Sequence, residues 1–395
     1  MTEKRPVSLL QLFLAFCRLG AVSFGGNMAL VSVVQNYACR KKKWLTDDVV
    51  LDGVTLCSLL PGPLAVNLIA YSGYKIRGLA GAIVSILGIL LPSFILVTGL
   101  SYLYFNFGKI PVVKSILHSL APVMAGVIFA TVIPLARKNL LKNSQYIIAS
   151  AALVVMLAFR GPAGIVSVII CSGLAGYILF YKKADIENKP EKSSLPVLRI
   201  LLLILLLIAV TGVFYFKVLF PDESLRLLGK TFSGMSLTLF GGGYVFIPSI
   251  GTIVTSTFHW LTMKEFTDGI AIGQITPGPI LITSAFIGFK IAGVGGALLA
   301  TLATFIPPAI LVMISSHFLN YLKSQPAAQS IFSGLRPAII GMIASAIVFI
   351  GKDAALEWQS WLLFIMVVVS IQHYKIDASI VIPGSVFIGY FLCML

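Results

Sequence analysis

Apolar residues occupy this chain in long runs that short polar or basic segments interrupt. Residues 201–210, LLLILLLIAV, belong to an apolar run that extends from Ile200 to Phe216. A run of roughly 17–25 such residues is long enough to cross the hydrocarbon core of a bilayer as a helix. Similar runs recur towards the C-terminus, so the first of them is not expected to be a cleaved signal peptide. The pattern therefore predicts an all-α polytopic membrane protein.

The same pattern divides the chain into two sets of spans with one extra span between them. The predicted boundaries are 1–181 for an N-terminal transmembrane repeat, 182–224 for a polar linker plus a connecting span, and 225–395 for a C-terminal repeat. After two interrupted apolar segments, spans in the first repeat are predicted at about 78–104, 112–136, 145–160 and 163–181. The connecting span is predicted at about 197–219.

One segment of the chain occurs twice. Trp44–Asn67 (WLTDDVVLDGVTLCSLLPGPLAVN) returns 216 residues later as Trp260–Thr283 (WLTMKEFTDGIAIGQITPGPILIT), with eight of 24 positions identical. Both copies contain Trp-Leu-Thr, Asp-Gly and Pro-Gly-Pro, and both follow a Phe-Gly-Gly at the same offset. Further on, Gly-Tyr-Lys-Ile at 73–76 aligns with Gly-Phe-Lys-Ile at 288–291. Self-similarity of this kind is the signature of a repeat architecture.

The charges of corresponding loops predict that the two repeats have opposite orientations. Residues 39–47 carry four basic side chains, whereas the matching residues 255–263 carry none. The linker is rich in lysine, whereas the matching C-terminal end is uncharged. Because loops rich in Lys and Arg face the cytoplasm, we expect two inverted-topology repeats.

The interrupted segments are expected to be broken, re-entrant-like helices. The basic loop at 39–47 and the loop at Lys75 and Arg77 can both be cytoplasmic only if the chain from Trp44 to Ser72 enters the membrane and returns. Non-helical backbone at membrane depth is tolerated where it is buried in protein or lines a watery cavity. The alternative is two full crossings, each with a kink.

Composition excludes several other classes of protein. Hydrophobic residues make up 58% of the chain and charged residues 11%, which does not describe a soluble domain. The net charge of +15 lies in short loops between apolar spans, so we expect no nucleic-acid partner. The five cysteines lack metal-ligand spacing, and no catalytic or cofactor motif is present. We therefore expect no cofactor, no metal and no enzymatic activity.

The breaks in the helices are the candidate binding site. Proline suits the first turn of a helix, and glycine lets the backbone approach a ligand closely. Helix N-termini are ready sites for anions, so four such ends from inverted repeats would suit a small oxyanion. The candidate residues are Phe24, Gly25, Gly26, Asn27, Pro61, Gly62 and Pro63 in the first repeat and Gly241, Gly242, Gln274, Thr276, Pro277, Gly278 and Pro279 in the second. The alternative is that these residues only kink helices and allow tight packing.

Four charged residues within apolar runs add candidate chemistry. Asp52 and Asp268 correspond in the two repeats and could carry a coupling proton, because an ionisable residue within a membrane is a functional hypothesis by default. A helix-capping role is the alternative. Arg18 and Arg336, which are not duplicated, could grip an oxyanion bidentately, pair with an aspartate, or extend towards the interface.

The ordered set Phe-Gly-Gly, Trp-Leu-Thr, Pro-Gly-Pro and Gly-x-Lys-Ile, present twice, resembles the chromate ion transporter (CHR) family in its long-chain, two-domain form. The resemblance covers almost the whole chain. It implies a multi-pass carrier of the cytoplasmic membrane that exports chromate, with sulfate as a structural analogue, driven by a proton or ion gradient. The motif-matching residues are Phe24, Gly25, Gly26, Pro61, Gly62, Pro63 and their second-half partners.

The expected partners are accordingly a small oxyanion and the lipid bilayer. A homodimer is compatible with the glycine-rich faces, which support close helix contact. Two other functions stay open: a passive anion channel or uptake carrier for sulfate-like anions, and, in another class, a membrane enzyme or lipid-handling protein.

Overall fold

The structure is a computed structural model, and it describes residues 7–22, 34–107, 120–159, 162–181, 197–216, 222–238, 246–318, 326–351, 358–376 and 378–392. All regular secondary structure in these residues is helical, which confirms the all-α class. The candidate residues Phe24, Gly25, Gly26, Asn27, Gly241 and Gly242 lie outside the described residues.

The spans predicted at about 145–160, 163–181 and 197–219 are largely helical, and the span predicted at about 112–136 is helical from Leu120. In the first repeat they are α1 (Leu9–Val22), α2 (Asp47–Leu59), α3 (Leu64–Phe107), α4 (Leu120–Asn139), α5 (Asn143–Ala158) and α6 (Pro162–Phe180). The connecting helix is α7 (Val197–Gly212). In the second repeat they are α8 (Glu223–Ser236), α9 (Phe246–Thr252), α10 (Met263–Ile275), α11 (Thr283–Ser315), α12 (Pro326–Gly351), α13 (Trp358–Gln372) and α14 (Ala378–Leu392).

Both long helices, α3 and α11, contain a sharp reversal at the same repeat position. The backbone is non-helical at Arg77 and Gly78 in α3 and at the corresponding Ala292 and Gly293 in α11. A Cβ atom added at Gly73 would lie 2.4 Å from the carbonyl oxygen of Gly81, eight residues further on. Since a straight helix rises about 1.5 Å per residue, such an approach requires the chain to fold back. Each long helix is therefore a short arm followed by a full-length arm.

The chain forms two compact units. The first comprises 1–100, 196–237 and 276–317. In it, α1 packs closely on the long arm of α3, where a Cβ atom at Gly20 would lie 2.5 Å from the carbonyl oxygen of Ile89. In the same unit, α11 packs against α7 and α8. Leu12, Leu68, Ile89, Phe286 and Phe305 are among the fully buried side chains of its core.

The second unit comprises 101–195, 238–275 and 318–395, and its packing is reciprocal between the repeats. Helix α12 packs against α5 and α6, and α4 packs against α13 and α14. Gly341 of α12 meets the carbonyl oxygen of Ala149, and Gly126 of α4 meets the carbonyl oxygen of Phe364. Gly341 and Gly126 are 215 positions apart in the sequence, and so are Phe364 and Ala149. The two repeats thus make equivalent contacts at corresponding positions.

Four helical segments are long and apolar enough to span a bilayer among the residues described: Leu64–Phe107, Val197–Tyr215, Ile280–Ser315 and Gln329–Phe349. Shorter apolar helices include α1, α5, α13 and much of α4, α6 and α14. Large apolar side chains are exposed along α5, α6, α7 and α13, as lipid-facing surfaces require. These features are those of a multi-pass membrane protein.

Candidate functional site

The first Pro-Gly-Pro is a buried turn between two helices. Helix α2 ends at Leu59 and α3 begins at Leu64, so a helix starts directly after Pro63, as predicted. Gly62 lies in the left-handed region with a φ of +105°, which favours glycine because other residues lose energy there. The side chain of the buried Asn67 fixes the turn, since its Nδ2 donates a hydrogen bond of 3.0 Å to the carbonyl oxygen of Pro61.

Helix α2 and the short arm of α3 lie side by side around this turn. A Cβ atom added at Gly53 would lie 2.6 Å from Cδ1 of Tyr71 and 2.7 Å from Cδ1 of Leu68. Gly53 and Tyr71 are equally distant in sequence from Gly62. The first copy of the duplicated segment is therefore a helical hairpin with Pro-Gly-Pro at its tip.

The second Pro-Gly-Pro has the same local conformation. Gly278 has a φ of +123°, and a short 3-10 turn, Ile280–Ile282, leads from Pro279 into α11. The carbonyl oxygen of Pro277 accepts a hydrogen bond of 2.5 Å from the hydroxyl of Ser93, a buried residue in the long arm of α3. The turn is thus held by a side chain from the other repeat.

Each turn packs against the long arm of a helix from the other repeat: the first turn against α11 and the second against α3. A Cβ atom at Gly62 would lie 2.4 Å from Cβ of Pro308, and one at Gly278 would lie 1.9 Å from Oγ of Ser93. Ser93 and Pro308 occupy corresponding positions, 215 residues apart. Because all four residues belong to the first unit, this unit contains both breaks together with the helix faces that receive them.

Gln274 and Thr276 precede the second turn. Thr276 is buried, and Nε2 of Gln274 is a buried donor with no hydrogen-bond partner among the described residues. A buried donor without a partner is costly, and in a native structure it calls for an explanation such as a ligand or water. The corresponding residue in the first repeat is the exposed Ser58, whose hydroxyl donates to the carbonyl oxygen of Thr55. This side chain of Gln274 is therefore a candidate anion donor on one repeat only.

The two candidate aspartates have different surroundings. Asp268 is 1% exposed on α10, and Oδ2 accepts a hydrogen bond of 2.8 Å from the hydroxyl of Tyr104. Both residues belong to the second unit. Asp52 is half-buried on α2, one residue before Gly53, in the first unit. The carboxylates are thus not equivalent, although the sequence pairs them.

The two candidate arginines lie on exposed helix faces. Arg18 is exposed on α1, whose opposite face, with Phe16 and Gly20, packs on the long arm of α3. Arg336 is exposed on α12 in the second unit. No hydrogen bond or ion pair joins either arginine to the other candidate residues in the described part of the chain. Their role as anion ligands stays a prediction.

Sequence reasoning missed three residues that contact candidate residues in the structure: Ser93, Pro308 and Tyr104. Ser93 and Pro308 each lie in or beside a proline-containing stretch whose prolines, Pro92 and Pro307, already align between the repeats. That alignment was the available signal for a shared contact. Tyr104 had no such signal, because an aromatic residue near the end of an apolar run is ordinary in a membrane helix.

The fold and the candidate site together define an all-α membrane protein that contains two repeats, each with a broken helical segment. The chain belongs to the chromate transporter family, whose sequence model matches residues 10–177 and 226–390. The match covers both repeats and confirms the resemblance seen in the motifs.

Curated relatives cover nearly the full chain. A probable chromate transport protein of Synechococcus elongatus is 30% identical over 371 residues, which are 92% of this chain and 90% of the relative. A chromate transport protein of Cupriavidus metallidurans is 27% identical over 390 residues, 97% of this chain and 92% of the relative. An uncharacterized transporter of Methanocaldococcus jannaschii is 27% identical over 396 residues, 99% of this chain and 96% of the relative. No solved structure matches the chain significantly.

Proposed function

We propose that this protein exports a small divalent oxyanion, chromate in the first place with sulfate as its analogue, by alternating access in the cytoplasmic membrane. The observation that carries this proposal is membership of the chromate transporter family across both repeats. Relatives of nearly full length that are named chromate transport proteins support the choice of substrate.

The anion would bind at the two Pro-Gly-Pro turns. The first N–H groups of a helix have no intrahelical acceptor, and the positive end of the macrodipole favours negative charge. Helix α3 begins directly after Pro63, and the 3-10 turn that leads into α11 begins directly after Pro279. The N–H groups that follow the two turns offer hydrogen-bond donors of the kind that a tetrahedral oxyanion needs. The buried Nε2 of Gln274, three residues before Pro277 in the sequence, is a further candidate donor.

Coupling to a proton or ion gradient would use the aspartates. Asp268 is the stronger candidate, because it is buried and accepts a hydrogen bond from the hydroxyl of Tyr104. A carboxylate enclosed in this way can change its protonation only when its surroundings open, which is what coupling to alternating access demands. Asp52, which is half-buried, would be a second site for the coupling proton.

The proposed topology is a pair of inverted repeats over 1–181 and 225–395, joined by the linker and span of 182–224. Loop charge supports it, and so does the exchange of equivalent contacts between Gly126 and Phe364 and between Gly341 and Ala149. The folded hairpin around Gly62 supports a re-entrant first segment. Alternating access would then be a movement of one group of helices against the other around the breaks.

The test is chromate uptake into inside-out vesicles with an imposed pH gradient and sulfate as competitor. Wild type is compared with Gln274→Glu, Asp52→Asn and Arg18→Ala at matched protein level. Gln274→Glu replaces a donor by a negatively charged acceptor, so we expect uptake to fall to the background of protein-free vesicles. Gln11→Glu, the same change at an exposed position of α1, is the matched control and should leave uptake unchanged.

Two outcomes would contradict the proposal. Absence of chromate uptake by folded wild-type protein would remove chromate as the substrate. Uptake that neither saturates nor exceeds the external concentration under a gradient would indicate a passive anion channel instead of a carrier.

A further inference from the structure

A polar cavity lies in the first unit, beside the reversal of α3. Its volume is about 910 Å³, and it lies between the chain around Arg77 and Gly78, the first turns of α7, and His317 just beyond α11. Three basic side chains line it: Lys75, Arg77 and Arg199. The proposed transport site does not use this cavity.

The cavity has an uncompensated positive charge among the residues that line it. No carboxylate belongs to its described lining, and all three basic residues are exposed. Tyr74 and His317 add polar groups. Nδ1 of His317 donates to the carbonyl oxygen of Met313 at 3.0 Å, which leaves Nε2, 3.4 Å from the hydroxyl of Tyr74, to accept from it. Such a cavity favours an anion.

Two of the three basic residues, Arg77 and Arg199, are specific to one repeat. The residue that corresponds to Arg77 is Ala292, although the backbone reverses in the same way at both places. Arg199 belongs to the connecting helix α7, which has no counterpart in the other repeat. A feature required merely to build the reversal would be present twice. The basic cavity is therefore an addition to the repeat.

The wall formed by α7 indicates which kind of anion fits. Leu202 and Leu206 line the cavity directly above Arg199 in the helix, and Leu198, Leu201 and Leu205 are exposed along the same helix. Helix α7 thus presents a basic first turn that continues into an apolar, lipid-facing surface. A soluble anion would leave this apolar wall uncovered, whereas an amphiphile with an anionic head and an acyl chain would cover both parts.

We propose that this cavity binds the phosphate headgroup of an anionic phospholipid, with an acyl chain along α7. Basic pockets between transmembrane helices on the cytoplasmic side are where such headgroups bind, and the positive loop charge predicts that this end of the helices is cytoplasmic. Arg77 and Arg199 contribute the planar donors that match phosphate geometry, and Lys75 adds a point charge. The inference goes beyond the proposed transport function and does not depend on it.

The test is native mass spectrometry of the purified full-length protein with phosphatidylglycerol and phosphatidylcholine at equal concentration. Wild type should retain phosphatidylglycerol in preference to phosphatidylcholine. The double variant Arg77→Gln/Arg199→Gln should lower the affinity for phosphatidylglycerol by about tenfold or more, as the loss of two charges beside an anionic headgroup implies. The single variants Arg77→Gln and Arg199→Gln should each lower the affinity by a smaller factor, and they keep the proposal testable if the double variant does not fold.

The matched control removes two exposed basic charges elsewhere, in Lys290→Gln/Lys375→Gln, and should bind phosphatidylglycerol like wild type. Lys290 corresponds to Lys75 in the other repeat, where Ala292 stands at the position of Arg77. Equal retention of the two lipids by wild type, or an unchanged preference in the folded glutamine variant, would overturn the proposal. So would saturable binding of inorganic phosphate that competes with phosphatidylglycerol and disappears in the glutamine variant, since the cavity would then be a site for a soluble anion.

Discussion

The hydroxyl of Tyr104 donates a hydrogen bond of 2.8 Å to Oδ2 of Asp268, between residues 164 positions apart and in different repeats. Asp268 is buried on α10, and Tyr104 lies near the C-terminal end of α3. A buried carboxylate is retained in apolar surroundings only when it is paired or hydrogen-bonded. This bond therefore links the most deeply buried candidate for coupling to a helix of the opposite repeat.

Replacement of Asp268 by Asn should separate coupling from binding. The amide keeps the size of the side chain and a hydrogen-bond acceptor for Tyr104, but it cannot take up a proton. We expect accumulation of chromate under a pH gradient to be lost, while exchange of chromate across the membrane at equal pH persists. Vesicle uptake measured in the two modes checks this, and equal gradient-driven accumulation by wild type and variant would show that Asp268 does not couple transport.

Replacement of Tyr104 by Phe should destabilise the second unit. It leaves the buried Oδ2 of Asp268 without its donor, and a lost hydrogen bond to a charged group costs about 1.5–3 kcal/mol. A lower Tm of the detergent-purified protein would report this loss. Tyr102→Phe is the matched control, because Tyr102 is 55% exposed two residues away. The interpretation fails if both variants shift the Tm equally.

Three glycines allow backbone strain to be separated from steric contact. Gly62→Ala should be the most damaging, since it combines a φ of +105° with a Cβ atom 2.4 Å from Cβ of Pro308. Gly78 has a φ of +63° but no atom within 4 Å of its added Cβ, so Gly78→Ala should cost only strain, about 1–3 kcal/mol. Gly99 lies in helical backbone with open space around it, so Gly99→Ala should be neutral or stabilise by up to about 1 kcal/mol. Thermal unfolding of the three variants gives the order, and a Gly62→Ala protein as stable as Gly99→Ala would contradict it.

A double-mutant cycle tests the contact between the second turn and the long arm of α3. Gly278→Ala alone places a Cβ atom 1.9 Å from Oγ of Ser93. Ser93→Ala alone removes the hydrogen bond to Pro277, at a cost of about 1–3 kcal/mol. In the double variant the clash with Oγ is absent, so its loss of stability should be smaller than the sum of the single losses. Additive losses, as found for distant sites, would mean that the turn is not seated on Ser93.

Corresponding glycines in the second unit should differ in sensitivity. A Cβ atom at Gly341 would lie 2.0 Å from the carbonyl oxygen of Ala149, whereas one at Gly126 would lie 3.0 Å from that of Phe364. Gly341→Ala must therefore push α12 and α5 apart, while Gly126→Ala needs an adjustment of only a few tenths of an ångström. We expect a clear fall in Tm for the first variant and little change for the second. Equal shifts would indicate that the two equivalent contacts are equally close.

Some features of the broken helices can be predicted from the local sequence, and others cannot. Pro63 and Pro279 predict helix starts, because proline lacks the N–H that a helix interior needs, and helical structure does begin directly after each of them. The positive φ angles of Gly62 and Gly278 follow from glycine being the residue that tolerates them. The reversals at Gly78 and Gly293 were less visible, since glycine within an apolar run is also common in straight membrane helices.

The sequence by itself determined the class, the duplication and the family, because hydropathy and repeated motifs are properties of the chain in one dimension. Only the tertiary structure decided which parts meet. Ser93 with Pro277, Gly62 with Pro308 and Tyr104 with Asp268 are separated by 164 or more residues. The same structure made Asp52 and Asp268 different, although their local sequences pair them. Burial and hydrogen bonding depend on the elements packed around a residue, and a symmetric sequence pattern does not specify that packing.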